Sequence, residues 1–346
     1  MANTESESGM AAWPNARARL MMWSSGAVSG SSLSARQAVV LEDANALGAL
    51  RATDVLDPDA IVFAPADIEG ALPYEGSIAG PGTEFIISED FFLQVQTYAI
   101  SEYVSVVGPT LVRLSEGEDL DILQADVHTA LQTGSFPEFL TNPIVQLADL
   151  PALGVLDDGA GPDARLWVGS DGSLAVSPSG DAIGTIGDNR SSVWSAWSAQ
   201  LVTSADVGAL GARIGRENLI ALQSRVPALQ RFLAAVEGIR NLRARGLSLP
   251  RVSGFGTTLL PGIDPAAGSL LAPDLPFLMS SVERHFLVHP VAHRVFEVDR
   301  PAAAALEAVL HLGDAAAEVV GSDAAASAAR ALRAQGIDVG EVKVAT

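Results

Sequence analysis

The chain has 346 residues, 48% of them hydrophobic, a formal charge of −20 and no cysteine. That length accommodates two or three domains, and that apolar share is enough for a buried core. Without cysteine there is no thiol nucleophile, disulfide, iron–sulfur cluster or cysteine zinc site, and the only lysine, Lys343, three residues from the end, is badly placed for a Schiff base or a P-loop.

The N-terminus is acidic and polar, without the basic-then-apolar layout of a signal peptide, and no apolar run is long enough to span a bilayer. A cytoplasmic protein with no membrane partner is expected. Ala16 to Ser25, with Leu20, Met21, Met22 and Trp23, reads as a first strand. Gly26 to Ser34 is a Gly/Ser loop, and with no GK[ST] after it a flexible loop is favoured over a phosphate cradle. Ala35 to Arg51 gives a mixed strand and helix signal. Ala60 to Ala64 and Glu84 to Ile87 read as strands, Phe91 to Val95 leads into a helix, and Val104 to Leu114 is a strand broken near Gly108 and Pro109. Glu116 to Thr133 reads as a helix with Leu120, Ile122, Leu123, Val127 and Leu131 inward. Its four carboxylates between Glu116 and Asp121 lack EF-hand spacing and suit a helix N-terminus, where exposed N–H groups attract acids. The alternation implies an α/β domain over residues 1–150.

Phe136 to Leu153, rich in Pro, Asn and Asp, reads as a connection with a short apolar docking piece. A hairpin is expected at Arg165 to Val168 and Leu174 to Val176, turning at Ser170 to Gly172. Gly180 to Asp188 is a loop or edge strand. Ser191 to Leu210 reads as a helix whose Trp194, Trp197, Leu201 and Val202 share a face; core packing is favoured over ligand stacking for the two tryptophans. Asp157 and Asp158 read as a loop. Asn218 to Arg245, with Leu219, Leu222, Leu229, Phe232, Val236 and Ile239 at helical spacing, is the strongest helical region, split or kinked at Pro227. The hairpin and helices make a middle region of residues 151–249, and the Pro/Gly-rich residues 250–276 make a connection.

Residues 277–346 read as a separate module. Phe277 to Ser281 is its first strand. Phe286 and Val288, then Val295 to Val298, give two more, joined by a turn at His289 to Ala292 that holds Pro290. Asp299 is a good N-cap, and Pro301 sits near the first helical position. Three short helices follow, the first stopped by Gly313, the second capped by Asp314 and stopped by Gly321, the third capped by Ser322 and ended by Gly336. Ile337 and Val339 return to an apolar surface. The fold class expected is therefore an α/β N-terminal region, a helical middle, and a C-terminal winged-helix-like module of short sheet followed by three helices.

The run HRVFEVDRPAAAALEAVLHLG, a strand entering a helix with the Leu306–Glu307 pair and a glycine stop, resembles the PqqD-like recognition element of RiPP (ribosomally made, post-translationally modified peptide) precursors. The resemblance covers about the last fifth of the chain. The acidic, cysteine-free whole, with stretches such as GPGTEFIISED, YVSVVGPTLVRL, FPEFLTNPIVQLADL and WVGSDGSLAVSPSG, resembles the recognition proteins of daptide-type clusters. The family resemblance implies a non-catalytic protein that binds a leader peptide as an added strand beside the third helix. It also implies partners: an oxidative decarboxylase, an aminotransferase and a methyltransferase. On this reading Arg294, Val295, Phe296, Glu297 and Val298 form the receiving edge. Ala325, Ala328, Ala329 and Leu332 leave room for bulky leader residues, and Arg330 and Arg333 hold leader carboxylates. The bland alternative is that the alanines serve close packing.

No catalytic residue, cofactor or metal is expected. His285, His289 and His293 are spaced by four, but Pro290 and the strand pattern oppose a shared helix face, and no carboxylate completes a ligand set. Two other readings stay open. One is an enzyme of unrecognised type, using carboxylates and His128 in the N-terminal region. The other is a winged-helix DNA-binding regulator, opposed by six basic against ten acidic residues between Leu271 and Thr346.

Overall fold

A computed structural model describes residues 16–27, 37–88, 91–155, 161–202, 205–248, 250–264, 272–290 and 294–337. The chain divides into two compact units, one of residues 1–122 and 144–225, the other of residues 123–143 and 226–346. Much of the Gly26 to Ser34 loop lies outside the described residues, as do Asp157, Asp158, His293, Val339 and the centre of the Pro/Gly-rich segment.

The first unit opens with helix α1, residues 16–25, where a strand was expected. Ala16, Leu20 and Trp23 are buried at helical spacing, while Met21 and Met22 are half-buried at the flank. A short apolar run does not by itself separate a strand from a buried helix. There follow β1 (Ala38–Leu41), α2 (Ala46–Arg51), β2 (Ile61–Ala64), β3 (Leu72–Pro73), β4 (Glu75–Gly76), β5 (Thr83–Ser88), β6 (Phe91–Thr97), the single turn α3 (Tyr98–Ser101), β7 (Thr110–Arg113) and the start of helix α4 (Gly117–Thr133), whose residues from Leu123 on belong to the second unit. Then come β8 (Val145–Leu147), β9 (Arg165–Val168), β10 (Ser173–Ala175), β11 (Gly184–Thr185), α5 (Arg190–Ser198), β12 (Leu201–Val202), β13 (Ala205–Asp206), α6 (Gly211–Ile214) and α7 (Arg216–Arg225).

One sheet runs in the order β11, β10, β9, β1, β2, β3, and a second in the order β4, β5, β6, β7, β8. In the first, β9, β1, β2 and β3 are parallel, and β1 is buried at all four residues, as a central parallel strand must be. A single buried cluster joins Leu20 and Trp23 of α1 to Val40 and Phe63 of one sheet and to Phe85, Leu93 and Leu111 of the other. The expected connection at Phe136 to Leu153 contributes β8, an edge strand parallel to β7. The helix expected from Ser191 to Leu210 ends at Ser198, and Leu201 and Val202 instead pair with Asp206 and Ala205. Trp197 Nε1 donates to Asp206 Oδ2 at 2.7 Å, which ties the chain back on itself there.

The second unit is mixed α/β, with a sheet followed by helices. It comprises α8 (Leu229–Ala244), β14 (Arg251–Val252), β15 (Phe277–Ser280), β16 (His285–His289), β17 (Arg294–Val298), α9 (Arg300–Leu312), α10 (Ala316–Val320) and α11 (Ser322–Ala334). The four strands form an antiparallel sheet in chain order. β14 comes from the segment expected to be a connection. The helical region breaks at Val226–Ala228, where Pro227 stands, between α7 and α8.

Both faces of this sheet are covered. On one, an added Cβ at Gly238 of α8 would lie 2.5 Å from Met279 Cε and 3.7 Å from Val288 Cγ1, so helix and strand backbones approach closely. On the other, Leu278 and Leu287 pack with Ala303, Leu306, Val309 and Leu310 of α9, and each buried leucine or valine contributes about 1.5–3 kcal/mol. Asp299 caps α9, its side chain accepting from Ala302 N at 2.8 Å, and Pro301 lies in the first turn. The other two expected caps differ: α10 starts after a single 3-10 turn at Gly313–Ala315, and Gly321, not Ser322, is the N-cap of α11.

Candidate functional site

β17 ends the sheet. Its pairing with β16 sets His285 opposite Val298, Leu287 opposite Phe296 and His289 opposite Arg294. In that register Phe296 and Val298 face α9 and pack, half-buried, against the module core. Val295 and Glu297 point to the opposite face. Glu297 receives Arg284 in a two-pronged ion pair at 2.7 and 2.6 Å, and Arg284 lies over the Phe286 ring at 5.1 Å. Those hydrogen bonds draw the Glu297 carboxyl below its usual range. Arg294 is exposed.

α11 differs from its expected role. Ala325, Ala328, Ala329 and Leu332 are buried in the core with α9, so these four pack helix on helix and do not line a surface groove. A methyl side chain lets two helices approach closely, which is the bland alternative stated above. Arg330 and Arg333 are exposed, together with Ser327 and Ala331. The C-terminal end of α11 reaches the sheet at the start of β17: His289 hydrogen-bonds the Gln335 backbone, and its neighbour across the ladder is Arg294. Burial first, then Arg294, lowers the His289 pKa.

The histidines do not gather. His285 and His289 are four residues apart on one extended strand, about 13 Å at the usual rise. His285 Nδ1 sits 2.9 Å from Ser280 Oγ. Among the described residues no group of three histidine or acidic side chains could hold a metal. The carboxylates at the start of α4 serve the helix. Asp119 accepts from the backbone N–H groups of Ser115 at 2.6 Å, Glu116 at 3.1 Å and Ala99 at 2.8 Å, a reach back from the first turn in the manner of a capping box. His128 is exposed on the same helix. Trp194 and Trp197 meet edge to face at 4.8 Å, with Trp197 buried.

Two buried polar networks were not anticipated. In the second unit, Glu307 is fully buried on α9. It accepts from Ser253 Oγ at 2.6 Å and from the N–H groups of Leu259 at 2.7 Å and Leu260 at 2.6 Å. Such donors offset the several kcal/mol that burial of a bare carboxylate costs. His311 Nε2 lies 3.0 Å from Ser253 Oγ, and burial lowers the His311 pKa. Since Ser253 gives its proton to Glu307, neutral His311 donates to the serine oxygen, the wrong direction for activating a nucleophile. The signal was an acid inside the apolar stripe of α9.

In the first unit, Arg113 of β7 and Arg165 of β9 both bind Asp149, all three fully buried. The signal there was an arginine inside each of two otherwise apolar strands. Desolvation is the larger influence on Arg113 and lowers its pKa, while Asp149 opposes it. In the second unit Arg231 donates to the carbonyls of Leu275 and, at 2.9 Å, of Pro276, and burial pushes it down to about 9, still a cation at neutral pH.

No helix among the described residues is long and apolar enough to cross a membrane. Comparison with family models, curated proteins and solved structures gave no match.

Proposed function

We propose that the chain is a non-catalytic recognition protein that captures the leader peptide of a RiPP precursor by strand addition at β17. The observation that carries the reading is the position of β17: it ends its sheet, pairs on one side with β16, and presents half-buried Val295, Phe296 and Val298. An edge strand offers unpaired N–H and C=O groups to an incoming peptide, and its side chains set alternate pockets. The order of short sheet and three helices supports a winged-helix-like recognition module, as the resemblance of residues 293–313 implies. The recognised tail is then presented to the oxidative decarboxylase, aminotransferase and methyltransferase of a daptide-type pathway. Tethering raises the local concentration of substrate without chemistry in the scaffold.

The test is fluorescence polarisation of the full chain with a labelled leader peptide of a daptide-type precursor. The same leader, N-methylated at alternate residues so that one edge loses its donors, should bind at least tenfold more weakly. Equal affinity of both peptides would rule out strand addition. Charge reversal at Arg330 and Arg333 tests their separate part; unchanged affinity removes them from the site.

A further inference from the structure

The second unit contains a cavity of 410 Å³ away from the edge strand. Its walls come from β14, the loop after it, the ends of β15 and β16 with their turn, and one flank of α9; none of its lining residues belongs to β17 or α11. Small-molecule sites span about 300–1,000 Å³, so the space admits more than a single inorganic ion.

The register builds its floor. Arg251 pairs with Ser280, and Ser280 with His285, so the three stand side by side on the face that carries α9. Arg300, in the first turn of α9, and Glu307, two turns on, close the other side. The Glu307 carboxylate is saturated by the three donors described above, so it offers little to a ligand. The cations are not saturated. Arg251 and Arg300 make no ion pair or side-chain hydrogen bond among the described residues. His285 is 6% exposed, and its only hydrogen bond there is through Nδ1 to Ser280. That contact leaves Nε2 without a protein hydrogen bond at a position lining the cavity. The hydroxyls of Ser248 and Thr257 line the same space with no hydrogen-bond partner among the described residues, and Leu259 and Val282 are the only purely hydrocarbon side chains of the lining.

We infer that this cavity is a binding site for a small non-aromatic organic oxyanion, a phosphorylated or polycarboxylate metabolite. Two guanidinium groups without an ion-pair partner, beside the His285 imidazole and one hydrogen-bonded carboxylate, leave the pocket with more cations than anions in a chain of charge −20. Guanidinium forks match carboxylate and phosphate oxygens in pairs, and hydroxyls complete the remaining lone pairs. The lining has no Phe, Tyr or Trp ring, so the His285 imidazole is the one ring on which a nucleobase could stack there. A ligand held between Arg251 and Arg300 would pin the first strand of the sheet to the start of α9.

Titration calorimetry of the full chain at low ionic strength tests this with orthophosphate, citrate and adenosine monophosphate, and with glucose as the uncharged control. Saturable binding of orthophosphate or citrate is expected, weakening as salt is raised because the arginines are exposed and screened. R251Q/R300Q should lose at least tenfold in that affinity, and H285Q should lose affinity too. The two arginines are on the surface, so the double variant should melt with the parent. Leader affinity, measured in the same double variant, should be unchanged. No saturable binding of either anion, or undiminished binding in R251Q/R300Q, would overturn the site. Adenosine monophosphate binding tenfold tighter than orthophosphate would overturn the non-aromatic assignment. A fall in leader affinity alone would make the cavity part of the peptide site instead.

Discussion

At the scale of single residues, the buried charges set the largest single-substitution effects. Asp149 holds two buried arginines, so Asp149→Ala leaves two uncompensated cations in the core. Breaking a buried pair in this way costs about 3–5 kcal/mol. Chemical denaturation of the variant should show a loss of that order, and a loss below about 1 kcal/mol would mean that the arginines find other partners. His311 gives a pH effect. Burial, the larger cause, holds its folded pKa below the unfolded value near 6.5, against the opposing pull of Glu307. The folded state therefore binds the proton less well than the unfolded state. Stability from this group is complete above about pH 6.5 and is lost as pH falls below it. Melting temperatures between pH 7.5 and 5 should fall in the parent and fall less in His311→Gln; equal slopes would remove His311 as the cause.

At the scale of elements, the sheet of the second unit is held by close approach on one face and by a capped helix on the other. Gly238 admits Met279 against α8. In Gly238→Ala the flexible Met279 end shifts, and the gain in helix propensity of about 1 kcal/mol offsets the crowding. Gly238→Leu overpacks the contact and should cost about 1–3 kcal/mol. If both variants melt alike, the contact is looser than the distances indicate. Asp299→Ala removes the cap of α9 and should cost about 1 kcal/mol, read as a lower denaturation midpoint at constant slope. The same elements show why sequence reasoning succeeded here. Asp299, Pro301 and Gly313 are local signals whose chemistry acts within one turn, so α9 was legible. Gly321 displaced Ser322 as a cap because its positive φ turns the chain before the serine is reached.

At the scale of the molecule, the chain passes between its two units more than once. Residues 123–143 belong with residues 226–346, and Phe136 stacks on Phe232 at 5.5 Å and meets Phe255 at 5.1 Å. A fragment starting near Pro273 lacks these residues, α8 and β14, and so exposes Phe277, Met279, Phe286 and Val288 on one sheet face. Such a fragment should keep far-UV but lose near-UV circular dichroism, and bind a hydrophobic dye. A sharp, cooperative melt of the fragment would show that the last 74 residues of the 346 suffice for packing.

The sequence by itself determined what lies close along the chain: the hairpin after Arg165, α4, the break at Pro227, the three C-terminal strands and the helices behind them. It also excluded cysteine chemistry outright. Tertiary structure alone decided the rest. α1 is a helix whose one buried face, Ala16, Leu20 and Trp23, packs into the cluster that the two sheets share, and β14 is a strand because β15 pairs with it across a long connection. The alanines of α11 are core because α9 lies against them, and no spacing distinguishes an alanine under a helix from one beneath a groove. Arg113, Asp149 and Arg165 meet, as do Ser253 and Glu307, only when distant segments pack. The physical reason is common to all: periodicity records which side of an element is buried, and only folding supplies what buries it.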